Sequence, residues 1–478
     1  MGSRRPNLLL IVADDHAANA VGCYGGPHAV TPTIDTLARD GMRFTACGCT
    51  NSLCAPSRAT ILTGTYNHVN GVTTLSTEFD AASQPAFPAL LRDAGYRTAL
   101  IGKWHLGHGG VHDPRGFDHW EVLPDQGDYH DPTFLTMDGS SHVRAGYATD
   151  LITDMSLDWL RETSTEHPDA PWCLMVQHKA PHRPWEPAER HADLTFESST
   201  APPDNFLDDY SHRATAARDA RMRVGRDLTR ADLKADPPLD VVPDPAGYAR
   251  WALDRYLTDY LRCVVAVDEG VGRLLDHLDE TGQAEDTVVL YTSDQGFFLG
   301  EHGWYDKRFM YTESLQMPLL VRYPRLVTAG SESDALVLNV DFAQTMLELA
   351  DVAALERMQG RSMVPLLAGE SAAAVGWRES TYYRYWEHLD GSHHVAAHRG
   401  VRTSDRKLVH YYGSGCGQPG ASERRTPEEW ELFDLERDPA EMHSVHDDPA
   451  YADDLARLRA ELDRLARELG DDIPPRTG

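Results

Sequence analysis

Four short apolar runs, each followed by residues able to do chemistry, organise most of the chain. Residues 8–12 (Leu-Leu-Leu-Ile-Val) lead to Asp14 and Asp15, and residues 98–101 lead to Lys103 and His105. Residues 172–176 lead to His178, Lys179 and His182, and residues 287–291 lead to Asp294 and Gln295. Runs this short and apolar on both sides predict strands of a central, mostly parallel sheet flanked by helices. Ligands of such sheets collect beyond the carboxyl ends of the strands. The four runs therefore aim acids, amides, lysines and histidines at one composite site.

Helical spacing fills the intervals. Leu151, Met155 and Trp159 recur at i+4, and a stripe from Tyr256 through Tyr260, Val264, Val267 and Val271 to Leu274 ends near Gly282. Residues 186–247 are polar, with Pro-Pro pairs and a basic stretch from Arg218 to Arg230, and read as a surface insertion with some helix. The pattern changes near residue 370. Residues 382–386, 396–403, 407–412 and 430–434 predict short antiparallel strands. A final helix follows, with Asp448 as its cap, Pro449 in its first turn and a leucine face from Leu455 to Leu469. The reading is an α/β catalytic domain over residues 1–370 and a smaller α+β subdomain over 371–478, with a loose tail after Asp472.

Charge narrows the classes of partner. The 478 residues carry 45 Lys+Arg against 74 Asp+Glu, a net charge of −29. Such a surface disfavours nucleic acid and anionic membranes, so any anionic substrate needs a local cationic pocket. Seven cysteines at sparse positions, an odd number, argue against a disulfide framework. The first apolar run is too short for a signal-peptide core, so the sequence as written is expected to stay in the cytoplasm, export by another route remaining open.

The segment Cys54-Ala55-Pro56-Ser57-Arg58 carries the sharpest chemistry. Pro56 suits a first helical turn, which places Cys54 at a helix N-terminus, where N–H groups and the dipole favour an anion. Arg58 adds a fixed cation one turn on. An ordinary buried cysteine beside a helix start is the alternative.

Cys-x-Pro-Ser-Arg followed by Leu62-Thr63-Gly64 resembles the signature of type I sulfatases, within the alkaline-phosphatase-like superfamily. The resemblance extends through Gly102-Lys103-Trp104-His105, Ala180-Pro181-His182-Arg183-Pro184, Ser293-Asp294-Gln295-Gly296, Gly300-Glu301-His302-Gly303 and Asp306-Lys307-Arg308. It implies oxidation of Cys54 to formylglycine by a formylglycine-generating enzyme, the hydrate serving as nucleophile. It implies a Ca²⁺ or similar hard divalent ion held by Asp14, Asp15, Asp294, the Gln295 amide and the modified residue 54. Many members carry Asn where this chain has Gln295. Arg58 would hold the hydrate, Lys103 and Lys307 the sulfate, His182 would act as general acid, and His105 would contact the second hydroxyl.

The substrate is expected to be a small sulfated carbohydrate. The aromatic and histidine-rich tract from Tyr382 to Arg402 suits a sugar ring, and the C-terminal region resembles bacterial N-acetylglucosamine-6-sulfatase-type members. Candidate substrate contacts are His178, His302, His388, His398 and Arg399. Two alternatives stay open on sequence: a phosphonate monoester hydrolase or phosphodiesterase of the same superfamily, and a catalytically silent protein that binds sulfated ligands.

Overall fold

The computed structural model describes residues 5–28 and 30–471, so the tail expected after Asp472 lies outside the described residues. Ten strands make the principal sheet. They are β1 (Asn7–Ala13), β2 (Met42–Phe44), β3 (Arg97–Lys103), β4 (His119–Leu123), β5 (Thr133–Thr136), β6 (Ser141–Val143), β7 (Trp172–Gln177), β8 (Thr287–Ser293), β9 (Leu319–Arg322) and β10 (Ser331–Ser333). Across the sheet they run β10-β2-β9-β8-β1-β7-β3-β4-β5-β6. The inner block β8-β1-β7-β3-β4 is parallel, and β9 and β5 run antiparallel to it at its margins. The four apolar runs of the sequence are four adjacent strands of this block.

Side-chain alternation divides the core. Leu8, Leu10 and Val12 of β1 face one layer, which contains Ala55, Ala59, Ile61 and Leu62 of the Cys54–Thr63 helix. Leu9, Ile11 and Ala13 face the other, built on the Ala148–Glu166 and Pro245–Glu280 helices. Burial on both faces is why these strands read as continuous apolar runs. Register then fixes the site: Val12 lies beside Gln177 on one side and Thr292 on the other, while Gly102 lies beside Gln177. Residues just past these positions emerge at one edge.

Strands β11 (Thr381–Tyr385), β12 (His398–Arg402), β13 (Arg406–Tyr411) and β14 (Glu429–Asp434) form an antiparallel sheet in chain order. Tyr383, Tyr385, Val409, Tyr411 and Phe433 pack into the main core. The alternate positions Tyr382, Val401, Leu408 and Leu432 pack under Leu458, Leu462 and Ala466 of the Ala452–Leu469 helix. Asp448 accepts a 2.9 Å bond from the Ala450 N–H in the turn that leads into that helix.

The insertion departs from its reading as surface. Tyr210, Ala214, Ala216, Ala217, Ala220 and Met222 are buried in the main core. The Tyr305 N–H also donates to the Met222 carbonyl at 2.9 Å. Small alanines spaced among arginines bury area without raising the local apolar pattern. No helix among the described residues is long and apolar enough to cross a membrane.

Candidate active site

Leu53 is extended (φ −140°), and the Cys54–Thr63 helix starts at the next residue, as Pro56 requires. All ten residues of this helix are buried, Cys54 with 1% exposure. Carboxylate oxygens of Asp14, Asp15 and Asp294 lie within 4.8 Å of one another, and so do ligand atoms of Asp14, Cys54 and His182. The acids, the nucleophile position and the candidate general acid therefore share one small volume.

Cations hold the acids together. Arg58 Nε donates to Asp294 Oδ2 at 3.0 Å, and its Nη1 donates to the Lys103 carbonyl at 2.9 Å and to Gln177 Oε1. Its Nη2 lies 3.7 Å from Asp14 Oδ2. Lys103 pairs with Asp14, and Lys307 with Asp15. Burial alone would raise Asp14, but Lys103, His182, Arg58 and Lys307 hold it well below the usual carboxylate range. Burial pushes Asp15 up to about 6 against the pull of Lys307, and burial with neighbouring Asp14 pushes Asp294 up to about 7. Two acids pushed toward protonation beside a third that stays ionised suit a divalent cation, which stands in for the protons.

The donor set fits such an ion. Asp14 Oδ1, Asp15 Oδ2 and Gln295 Oε1 are buried oxygens with no hydrogen-bond partner among the described residues. Gln295 Nε2 donates to Asp15 Oδ1, which leaves its oxygen to join an all-oxygen cluster. The longer amide thus still reaches the group.

Burial followed by Lys103 holds the imidazolium forms of both His105 and His182 well below the ordinary histidine range. His182 Nδ1 is 2.5 Å from the Arg183 carbonyl, so it carries the proton, and Nε2 faces Asp15 Oδ2 at 3.7 Å. Burial pushes the Cys54 thiol up to about 11 against the pull of Lys103 and Lys307. An unmodified Cys54 is accordingly a poor thiolate nucleophile at neutral pH. Asp15, His105, Asp306 and Arg308 adopt φ between 56° and 90°. Each such non-glycine conformation costs about 1–3 kcal/mol and aims a side chain where a regular strand would not.

The expected substrate contacts are not gathered here. His178 is fully buried with neither ring nitrogen hydrogen-bonded among the described residues, and it packs near Gly270 of the Pro245–Glu280 helix. His302 sits among Phe298, Trp304 and Tyr311, with Nδ1 3.2 Å from Asp208. His388 Nε2 is tied to the Arg424 carbonyl at 2.9 Å, and His398 is enclosed by Phe309, Tyr383, Tyr385 and Tyr411. Arg399 faces His410 and lies 3.6 Å from Asp463 of the terminal helix. His302 and His398 are enclosed by aromatic rings, which close a core as readily as they line a sugar, while His388 and Arg399 are held by polar partners outside the acidic cluster.

The sequence placed Arg183, Asp306 and Arg308 in the resemblance and His393 in the aromatic tract, but assigned them no role and did not bring them together. Asp306 Oδ2 lies 3.3 Å from His393 Nε2, Arg308 Nε 3.2 Å from Asp306 Oδ1, and Arg308 Nη1 3.0 Å from Glu387. Arg183 reaches His393 at 2.8 Å. Asp306 and Arg308 flank Lys307 in sequence, which was the available signal. Gln126 and Gln177, which contact Lys103 and Arg58, were missed.

Comparison with known proteins gives the family. The Sulfatase family pattern matches residues 6–352, and the N-sulphoglucosamine sulphohydrolase C-terminal pattern matches residues 300–468. An N-acetylglucosamine-6-O-sulfatase of Bacteroides thetaiotaomicron is 39% identical, over 99% of this chain and 88% of its own length. The human N-acetylglucosamine-6-sulfatase is 29% identical, over 80% of this chain and 68% of its own. The solved structure of BT4656 in complex with its substrate D-glucosamine-2-N,6-O-disulfate superposes with a TM-score of 0.90 at 39% identity, covering 99% of this chain and 100% of that one. The chain belongs to the Sulfatase family and is a sulfuric ester hydrolase.

Proposed function

We propose that the protein removes a 6-O-sulfate from a glucosamine-type sugar, with residue 54 as formylglycine and Ca²⁺ at the acidic cluster. The observation that carries this reading is the convergence of Cys54, Asp14 and His182 within a buried, lysine-flanked volume. The full-length likeness to the Bacteroides enzyme supports the substrate. Bound there, the cation and the aldehyde hydrate would supply an activated oxygen nucleophile and polarise the sulfate.

The remaining work falls to the chain's own residues. Lys103 and Lys307 bind sulfate oxygens in a site shielded from water, where their charges act strongly despite the acidic surface. Arg58 orients residue 54 from the next helical turn. His182 keeps its proton on Nδ1 through the Arg183 carbonyl, so Nε2 is the atom that exchanges a proton with the leaving oxygen. An incoming sulfate ester offsets the positive potential of the lysines and so favours the imidazolium form needed for donation. The Asp306, Arg308 and His393 group, beside Lys307, supplies paired acceptors and donors suited to sugar hydroxyls.

The test has two parts. Mass spectrometry of the Cys54 peptide should show sulfur exchanged for oxygen with loss of two hydrogens. Sulfate release is then compared across monosaccharides sulfated at O2, O3, O4 and O6, with a phosphonate monoester alongside. Preference for the 6-O-sulfate is expected. Inactivity on every sugar, or faster phosphonate turnover, defeats the proposal.

A further inference from the structure

Gln126 lies in the turn after β4, half-buried, and touches two residues of the sulfate pocket. One end of its amide meets Lys103 Nζ, and the other lies 3.1 Å from His105 Nε2. The chemistry of the partners fixes which end is which. A lysine ammonium has only donors, so the atom facing Lys103 is the amide oxygen. The NH₂ group therefore faces His105, and it can only donate.

His105 Nε2 must then present a lone pair. A neutral imidazole with Nε2 as acceptor carries its proton on Nδ1. His105 Nδ1 is sealed from solvent and has no hydrogen-bond partner among the described residues. It is a buried donor without an acceptor, the counterpart of the orphaned oxygens of the acidic cluster.

We infer that Gln126 is a positioning residue that locks His105 as its Nδ1–H tautomer and ties its orientation to that of Lys103. The inference rests on the reading of His105 and Lys103 as residues of the sulfate pocket, and it adds a direction to that reading. In the resting site His105 offers a hydrogen-bond donor to an oxygen in the pocket, while an amide N–H masks its basic nitrogen. An anion that engages Lys103 competes with the Gln126 oxygen, so release of the amide would uncover Nε2 only when the pocket is filled. The two residues then act as one unit: Lys103 senses the anion, and His105 gains a free lone pair.

The experiment uses the full-length protein labelled with ¹⁵N-histidine. Two-bond proton–nitrogen spectra separate a protonated ring nitrogen from one that bears a lone pair, and His105→Gln identifies the His105 signals. Wild type should show Nδ1 protonated and Nε2 bare. In Gln126→Glu both carboxylate oxygens accept, so the pattern should reverse to Nε2–H. Gln126→Leu should show both tautomers. With sulfated sugar as substrate, Gln126→Leu should lower kcat by at least about ten-fold while KM stays within about three-fold. A protonated Nε2 in the wild type overturns the inference, as does an unchanged pattern in Gln126→Glu. These spectra need no turnover, so an enzyme inactive on sugar sulfates that still shows the tautomer switch would defeat the proposed substrate and leave the role of Gln126 standing.

Discussion

Arg58 Nε stands 3.0 Å from Asp294 Oδ2, with both side chains at least 98% withdrawn from solvent. This pair joins the helix that carries Cys54 to the strand end that carries two of the cluster's oxygen donors. Replacing Arg58 by Met leaves Asp294 buried without its nearest cation, a change worth about 3–5 kcal/mol in comparable buried pairs. The Arg58→Met, Asp294→Asn double variant should recover part of that loss, since the two residues couple directly. Unfolding in denaturant measures both; equal stability of wild type and Arg58→Met would contradict the pairing.

Calcium should stabilise the fold. Asp14 Oδ1, Asp15 Oδ2 and Gln295 Oε1 gain a partner on binding. At a hundredfold excess over Kd the gain is about 2.7 kcal/mol, seen as a rise in Tm that a chelator reverses. Asp15→Asn should shrink the rise by weakening binding. A Tm indifferent to calcium would rule out a hard-cation role for these oxygens.

Glu431 supplies a pH dependence remote from the cluster. It accepts bonds from the Ala214 N–H at 2.8 Å and the Tyr411 hydroxyl at 2.9 Å, and burial pushes its carboxyl up to about 7 from 4.5. Because the folded-state value is the higher one, the folded chain keeps a proton that the unfolded chain gives up. The associated stability is complete below about pH 4.5 and is lost as pH rises through 7, by up to roughly 3 kcal/mol. Glu431→Gln should remove that part of the decline. Parallel stability–pH curves for wild type and variant would refute the assignment.

Gly102 should tolerate no side chain. Its φ is +109°, and a Cβ there would lie 2.0 Å from the Gln177 carbonyl oxygen. Gly102→Ala must spread β3 from β7 at the point where Lys103 and Gln177 meet Arg58. A loss of more than about 1 kcal/mol and a marked fall in kcat are expected. Calorimetry and steady-state kinetics test this, and wild-type values for both would show that the two strands can yield.

Much of the sheet edge was legible because burial on both faces leaves an uninterrupted apolar run, and chemistry at its end is conspicuous. Asp14, Lys103, His182 and Asp294 were found this way, and Pro56 marked the helix start beside Cys54. Gln126 was not, since a Pro-Asp-Gln-Gly turn has no period, and its role exists only once the turn lies over Lys103. His398 misled for the opposite reason. Aromatic residues at alternate strand positions look the same whether they line an open groove or close a core. The alanines of residues 214–222 were hidden by the arginines between them, although they bury as completely as leucines do.

The Cys54–Thr63 helix is enclosed along its whole length. A second enzyme cannot grip a peptide that is wrapped on every side, so a catalyst that alters residue 54 has to reach it while the polypeptide is still open. The oxidation of residue 54 proposed above would then compete with sheet assembly. The fraction of active molecules would track how slowly the chain closes, rather than how tightly the finished protein is recognised.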